Sequence, residues 1–208
     1  MADTTDFEIR AWQEKIAMGD EQAFNKLFRS LYPSLVHFST DIVHTKSQAE
    51  EIVADVLMKI WQQRELLLEV DKLRVYLFVA VKNHSYNYLR KFSPWTTELS
   101  DNNIGTLVYG NSPEDDIMFR ELQLQLHKAI EALPEQCRQV YKLVKDDGLK
   151  YKEVAEILNI SPRTVETQLF RAIKKIRKIL LPDSEKDAAK SNTKSFGSKA
   201  LMYLLLFS

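Results

Sequence analysis

At 208 residues, with 28% charged and 45% hydrophobic side chains, the chain has room for one domain or two small ones and none for a large multidomain enzyme. Five Gly and six Pro are too few for the turns of a β-sandwich or barrel, or for the Gly-rich phosphate turn of a dinucleotide fold, so helices are expected. The single cysteine, Cys137, can form neither an internal disulfide nor a cysteine-based zinc site, and the opening MADTTDFEIR lacks the basic-then-apolar pattern of a signal peptide; a cytoplasmic protein is expected.

The formal net charge of +0 hides segments of opposite sign. Residues 24–92 carry 10 basic and 7 acidic groups, residues 93–137 carry 2 and 8, and residues 138–182 carry 11 and 5. Two basic blocks around an acidic one predict two surfaces that meet a polyanion and a connector that does not.

The first unit runs from Phe7 to Lys91, with apolar positions at helical spacing and recurring helix-start signals. Asp20 is placed to cap a helix from Glu21, Ser47 with Glu50 makes a capping-box pattern, and Asp71 precedes a further helix. Pro33 is expected to kink or divide the second helix. Three or four helices are predicted here. The stretch SPWTTELSDNNIGTLVYGNSPEDD has no sustained helical period and reads as a linker.

Ser112–Pro113 opens the second unit, Pro134 starts its next helix and Gly148 ends that one; Tyr151–Leu158 is a short helix, and Ser161–Pro162 opens a long one that stops at Pro182. Four helices and no strand are predicted. The apolar tail ALMYLLLF, residues 200–207, falls far short of the roughly 20 residues of a membrane span. It reads as a strip docked on the protein's own surface, on a partner or at a membrane surface.

The strongest local signal is YKEVAEILNISPRTVETQLFRAIKKIRKIL, residues 151–180. Val154, Ala155 and Leu158 are predicted to face inward, and Asn159 stands where a tight turn favours a residue tolerant of left-handed backbone. Ser161 is placed to cap the next helix. At about 100° per residue Val165, Leu169, Ile173, Ile176 and Leu180 form one core stripe, and Arg163, Thr167, Phe170, Arg171, Lys174 and Lys178 gather on the other side. Such a face suits a DNA major groove: Arg reads guanine edges, Thr167 and Phe170 touch thymine methyls, and lysines neutralise phosphates.

Residues 71–91, DKLRVYLFVAVKNHSYNYLRK, are apolar nearly all round in the first half, with Leu73, Val75, Leu77, Phe78 and Val79 expected in the core. From Lys82 a polar sector opens, in which Lys82, Asn83, Tyr86 and Arg90 lie within about 100°. Cations interleaved with an aromatic and an amide supply phosphate attraction, a π face and base-edge bonds to an unpaired strand; ordinary helix packing by Tyr86 and Tyr88 is the alternative. The preceding helix, residues 48–64, is expected to bury Ile52, Val53, Val56 and Ile60. An exposed acid beside Leu57 and Trp61 there is read either as a protein-docking patch or as a solvated face. No nucleophile–base pair or metal spacing appears: His37, His44, His84 and His127 are scattered, and no cofactor is expected.

In this order AEEIVADVLMKIW, LRVYLFVAVKNHSYNYLRK, IEALPEQCRQVYKL and the helix-turn-helix segment resemble a bacterial RNA polymerase sigma factor of the extracytoplasmic-function group, over roughly residues 20–91 and 119–180; SPRTVETQLFRA is similar to versions common in Bacteroidetes. The resemblance implies that Asp55, Leu57, Lys59 and Trp61 belong to the surface that docks on core RNA polymerase. It puts Asn83 on the Asn of the helix that, with the adjoining loop, opens the −10 element and captures an extruded base, with Lys82, Tyr86, Asn87, Tyr88 and Arg90 beside it. Thr167, Phe170 and Arg171 fall on recognition-helix positions for the −35 element, with Arg163, Thr164 and Lys174 around them. Two departures stand out: Glu166 where relatives are often basic, and ELLLEV before Asp71, more apolar than usual.

The expectation is therefore an all-α protein of two small helical domains joined by a flexible linker. Residues 1–92 would dock on polymerase and bind the −10 element, 93–118 would link, 119–182 would bind the −35 element by helix-turn-helix, and 183–208 would form a polar segment with an apolar tail. The function expected is that of a sigma factor, a non-enzymatic specificity subunit whose partners are core RNA polymerase, promoter DNA and an anti-sigma factor. It would have no small-molecule substrate, and would meet a membrane only through the anti-sigma factor. A stand-alone helix-turn-helix regulator of duplex DNA is the alternative, distinguished by its having no need of a single-strand surface.

Overall fold

The computed structural model describes residues 6–92 and 113–180; the apolar tail at 200–207 and most of the linker lie outside these residues. Two compact units are present, and the described residues are helical without a strand. The helices are α1 (Asp6–Ala17), α2 (Glu21–Val43), α3 (Lys46–Gln62), α4 (Leu73–Phe92), α5 (Pro113–Glu131), α6 (Glu135–Lys145), α7 (Tyr151–Leu158) and α8 (Pro162–Leu180), with a 3-10 turn at Arg64–Glu69 between α3 and α4.

In the first unit α2 packs against α1, α3 and α4. Its start is fixed by Asp20, whose Oδ1 accepts from the backbone N–H of Gln22 and Ala23 at 2.9 and 3.0 Å, satisfying two of the donors a helix start leaves open. Of the kink or division expected at Pro33, division does not occur: α2 runs undivided through it. Pro33 and Arg29, whose carbonyl loses its helical partner, both face solvent, while Leu27, Leu31 and Leu35 hold the opposite side in the core. The α3 start also differs from the expected Ser47–Glu50 box. Thr45 holds the N-cap position without a side-chain bond to the helix backbone; its hydroxyl donates instead to the Gln48 side chain, so no capping box forms. Likewise α4 begins with the Tyr76 N–H bonded to the Lys72 carbonyl at 3.0 Å, which puts Lys72 rather than Asp71 at the cap position.

The centre of this unit is aromatic and aliphatic. Phe38 of α2 meets Phe78 of α4 edge-on at 5.4 Å, among Leu73, Val75, Leu77 and Val81; burying a Phe side chain of this kind stabilises by about 1.5–3 kcal/mol. One buried polar link crosses it, Ser39 to Ser85 at 2.9 Å, with Ser85 also donating to the Val81 carbonyl, so neither hydroxyl is left unsatisfied.

In the second unit α8 packs on α5 and α6. Pro134 takes the position before α6 rather than its first turn. Gly148 follows the end of α6 with φ +65°, where a Cβ would be strained, and lets the Leu149 N–H return to the Leu143 carbonyl. Lys142 and Arg138 of α6 both reach Glu131 at the end of α5, Lys142 Nζ at 2.9 Å from its carboxylate and Arg138 Nη1 at 2.9 Å from its carbonyl. Lys175 of α8 donates to the Ala132 carbonyl at 2.7 Å, satisfying an acceptor just past the α5 C-terminus.

Candidate nucleic-acid interface

The helix-turn-helix is built by local chemistry. Glu153, at the third position of α7, reaches back to the Lys150 N–H at 2.8 Å, half of a capping box. Asn159 adopts φ +56°, as a left-handed turn residue must, and the Ile160 N–H closes onto the Ala155 carbonyl at 3.0 Å. Ser161 Oγ then accepts from the Thr164 N–H at 3.0 Å and bonds the Thr164 hydroxyl at 2.8 Å. Thr164 is thereby tied into the cap and half-buried. Val154 and Ala155 are buried as expected, whereas Leu158 is only half-buried.

Along α8 the buried stripe is Val165, Leu169, Ala172 and Ile176, with Ile173 and Leu180 at its margins. Ala172 was not among the expected core positions; its small side chain lets α8 approach its neighbours closely. The opposite face carries Arg163, Thr167, Phe170, Arg171, Lys174 and Lys178, all exposed. Phe170 is 69% exposed, a large apolar surface left outside by the packing of the described residues. The Thr167 hydroxyl donates to the Arg163 carbonyl at 2.9 Å, one turn back along the helix. Gln168 fixes the rotation of α8 from the side: its Oε1 accepts from the Cys137 thiol and its Nε2 donates to Gln136, both at 2.9 Å. Glu166 is exposed among the cations.

On α4, Asn83, Tyr86, Asn87 and Arg90 are exposed together, and Arg90 donates to Asn87. Lys82 is half-buried beside them, while half-buried Tyr88 falls about 140° from Asn83 at helical spacing, outside this exposed face. Tyr76 belongs on that face instead: two turns before Asn83, it is 45% exposed. Carrying the helical wheel back beyond Lys82 would have found it.

On α3, Asp55 and Lys59 are exposed. Leu57 is 2% exposed and is a core residue, not a docking contact; the large apolar side chain outside is Met58, at 57%. Trp61 is half-buried, its ring 5.0 Å from Phe24 and 5.2 Å from the Arg64 guanidinium, so its indole braces the α2–α3 contact. Asp55 and Lys59 both act on His84 of α4: burial pushes its pKa below the usual histidine value, Lys59 lowers it further and Asp55 opposes. Among the described residues no cluster of His, Cys, Asp or Glu could hold a metal, and no helix is long and apolar enough to cross a membrane.

Comparison with known proteins gives two family matches in the same order as the two faces. Sigma-70 region 2 matches residues 27–93 and Sigma-70 region 4 matches residues 123–176. The RNA polymerase sigma-H factor of Pseudomonas aeruginosa is 23% identical over 177 residues, covering 81% of this chain and 92% of that protein. The ECF RNA polymerase sigma-E factor of Escherichia coli strain K12 is 26% identical over 167 residues, covering 76% and 87%. The sigma factor RpoE from Bartonella quintana, solved in complex with the anti-sigma factor NepR, shares the fold with a TM-score of 0.57 at 22% identity, covering 76% of this chain and 96% of that one. The chain belongs to the sigma-70 family of RNA polymerase sigma factors, in the extracytoplasmic-function group.

Proposed function

We propose that this sigma factor docks on core RNA polymerase through α3, holds the opened −10 strand on the exposed face of α4, and reads the −35 duplex with α8. The observation that carries the reading is the pair of exposed faces, each mixing cations with an unburied aromatic: Asn83, Tyr86 and Arg90 on α4, Phe170 and Arg171 on α8. Stacking and phosphate contacts hold a single strand. Base-edge bonds from an exposed helix read a duplex. Neither task needs a nucleophile or a metal, and the protein acts as a specificity subunit in the cytoplasm rather than as a catalyst.

Unstacking a base costs a few kcal/mol, more than one small domain recovers by itself, so opening depends on the phosphate contacts that polymerase adds. The duplex affinity of the isolated chain is accordingly weak and falls with salt. The two working domains are those expected at 1–92 and 119–182, the second reaching back to the start of α5 at Pro113. An anti-sigma protein, as bound to the Bartonella relative, would regulate the chain by covering these faces. Run-off transcription with purified core polymerase on a randomised promoter library tests the reading: specific start sites are expected only when the chain is added, and none in its presence would refute it.

A further inference from the structure

Between α3 and α4 the chain makes the 3-10 turn Arg64–Glu69, and the side chain that closes it comes from a distant element. Gln13 of α1 is 1% exposed, and its Nε2 donates to the carbonyls of both Leu67 and Val70, at 2.5 and 2.6 Å. Val70 is the last residue before Asp71, and α4 starts two residues later. Outside the buried pair, Arg10 Nη1 adds a bond to the Val70 carbonyl at 3.3 Å. The turn's outer surface carries Leu66 and Leu68, 56% and 53% exposed, while Leu67 points into the core.

We infer that Gln13 is a positioning residue for strand capture: from α1 it holds the turn Arg64–Val70 in the shape that presents Leu66 and Leu68 beside the start of the strand-holding helix. Only a primary amide fits this role without burying a charge. Its two N–H groups serve two carbonyls, where a carboxylate gives none and an aliphatic side chain leaves both acceptors short of a donor. Two acceptors meeting on one nitrogen also set the distance between residues 67 and 70, and with it the entry of the chain into α4. Ile9 and Ile16, buried one turn to either side of Gln13, keep α1 seated so that the amide itself does not move. This inference rests on the assignment of α4 and its preceding turn to the opened −10 strand.

The test uses the full chain with core polymerase and a promoter recovered from a randomised library, pre-melted across the −10 element, with single-base changes in the captured strand. Discrimination between the preferred and substituted bases is measured alongside core affinity. Gln13→Met keeps the volume and removes both donors; discrimination is expected to fall about tenfold, the scale of one lost buried hydrogen bond, with core affinity held. Ser39→Ala, which breaks a buried bond elsewhere in the same unit, is expected to leave discrimination unchanged. Unaltered discrimination in Gln13→Met, or an equal loss in Ser39→Ala, overturns the inference. Should Gln13→Met not fold, Arg10→Ala decides: a drop of about twofold or more supports the role, being the exposed share of the same clamp, and no change overturns it. A wild-type chain that never initiates with core polymerase would instead remove the functional reading itself.

Discussion

Glu131 at the end of α5 and Lys142 in the middle of α6 meet at 2.9 Å, with the Lys142 side chain only 9% exposed. Burial on its own would raise the carboxyl's pKa, but the bond and charge of Lys142, with Arg138 and His127, hold it below the usual carboxylate value. A carboxyl whose pKa is lower folded than unfolded gives its full stabilisation above the ordinary carboxylate range and loses it as pH falls through that range and below. The protection factors of the α6 amides, corrected for intrinsic exchange, are therefore expected to fall below about pH 4.5. In Glu131→Gln that acid step disappears and α6 is less protected at neutral pH by about 1–3 kcal/mol. An acid step of the same size in the variant would assign it to another group.

Arg171 and Phe170 stand on the exposed side of α8. Arg171→Ala is expected to weaken −35-dependent transcription about tenfold or more, the worth of one bidentate base contact, without changing core binding. Promoter competition and a core-binding titration, run in parallel, check both halves. Equal loss in the two assays would show that α8 does not act separately.

Asn83 sits at the centre of the exposed α4 face. Asn83→Ala is expected to reduce the extent of promoter opening by about tenfold, on the scale of one specific base-edge bond, with the initial closed complex preserved. Band-shift and permanganate reactivity at the same promoter separate the two steps, and unchanged opening would take Asn83 out of the site.

The α3 surface offers a matched pair. Met58 is outside and Leu57 inside, so Met58→Ala should weaken core binding with little effect on thermal stability, whereas Leu57→Ala should cost about 2–5 kcal/mol of stability. Asp55→Arg is expected to abolish co-purification with core polymerase. The same change removes the group that raises the His84 pKa and adds one that lowers it, so an NMR titration of His84 should move further down in that variant; an upward move would contradict the α3–α4 geometry.

Much of this was legible from residue order. Asp20, Asn159 and Ser161 act through their own backbone neighbours, and a cap or a left-handed turn is a short-range event that sequence records directly. The exposed face of α8 was legible because, among the described residues, α8 packs on α5 and α6 from one side, which leaves a clean polar arc. In α3, by contrast, α2 and α4 both pack against the helix, the buried arc widens, and Leu57 falls inside it although it neighbours exposed Met58. Tyr88, which entered through the family resemblance rather than the helical wheel, lies about 140° from Asn83 and half-buried. Gln13 was invisible for a different reason: its two acceptors lie 54 and 57 residues away, and no local pattern marks a polar residue whose partners arrive only with the tertiary fold.

Permanganate footprinting of a promoter from the library, with chain alone, core polymerase alone and both together, tests the central claim most directly. Reactive thymines at the −10 element are predicted only when both proteins are present, and only on templates whose −35 element the chain selects. Binding and regulation of duplex DNA by the chain alone, with no polymerase-dependent opening at any promoter, would contradict it.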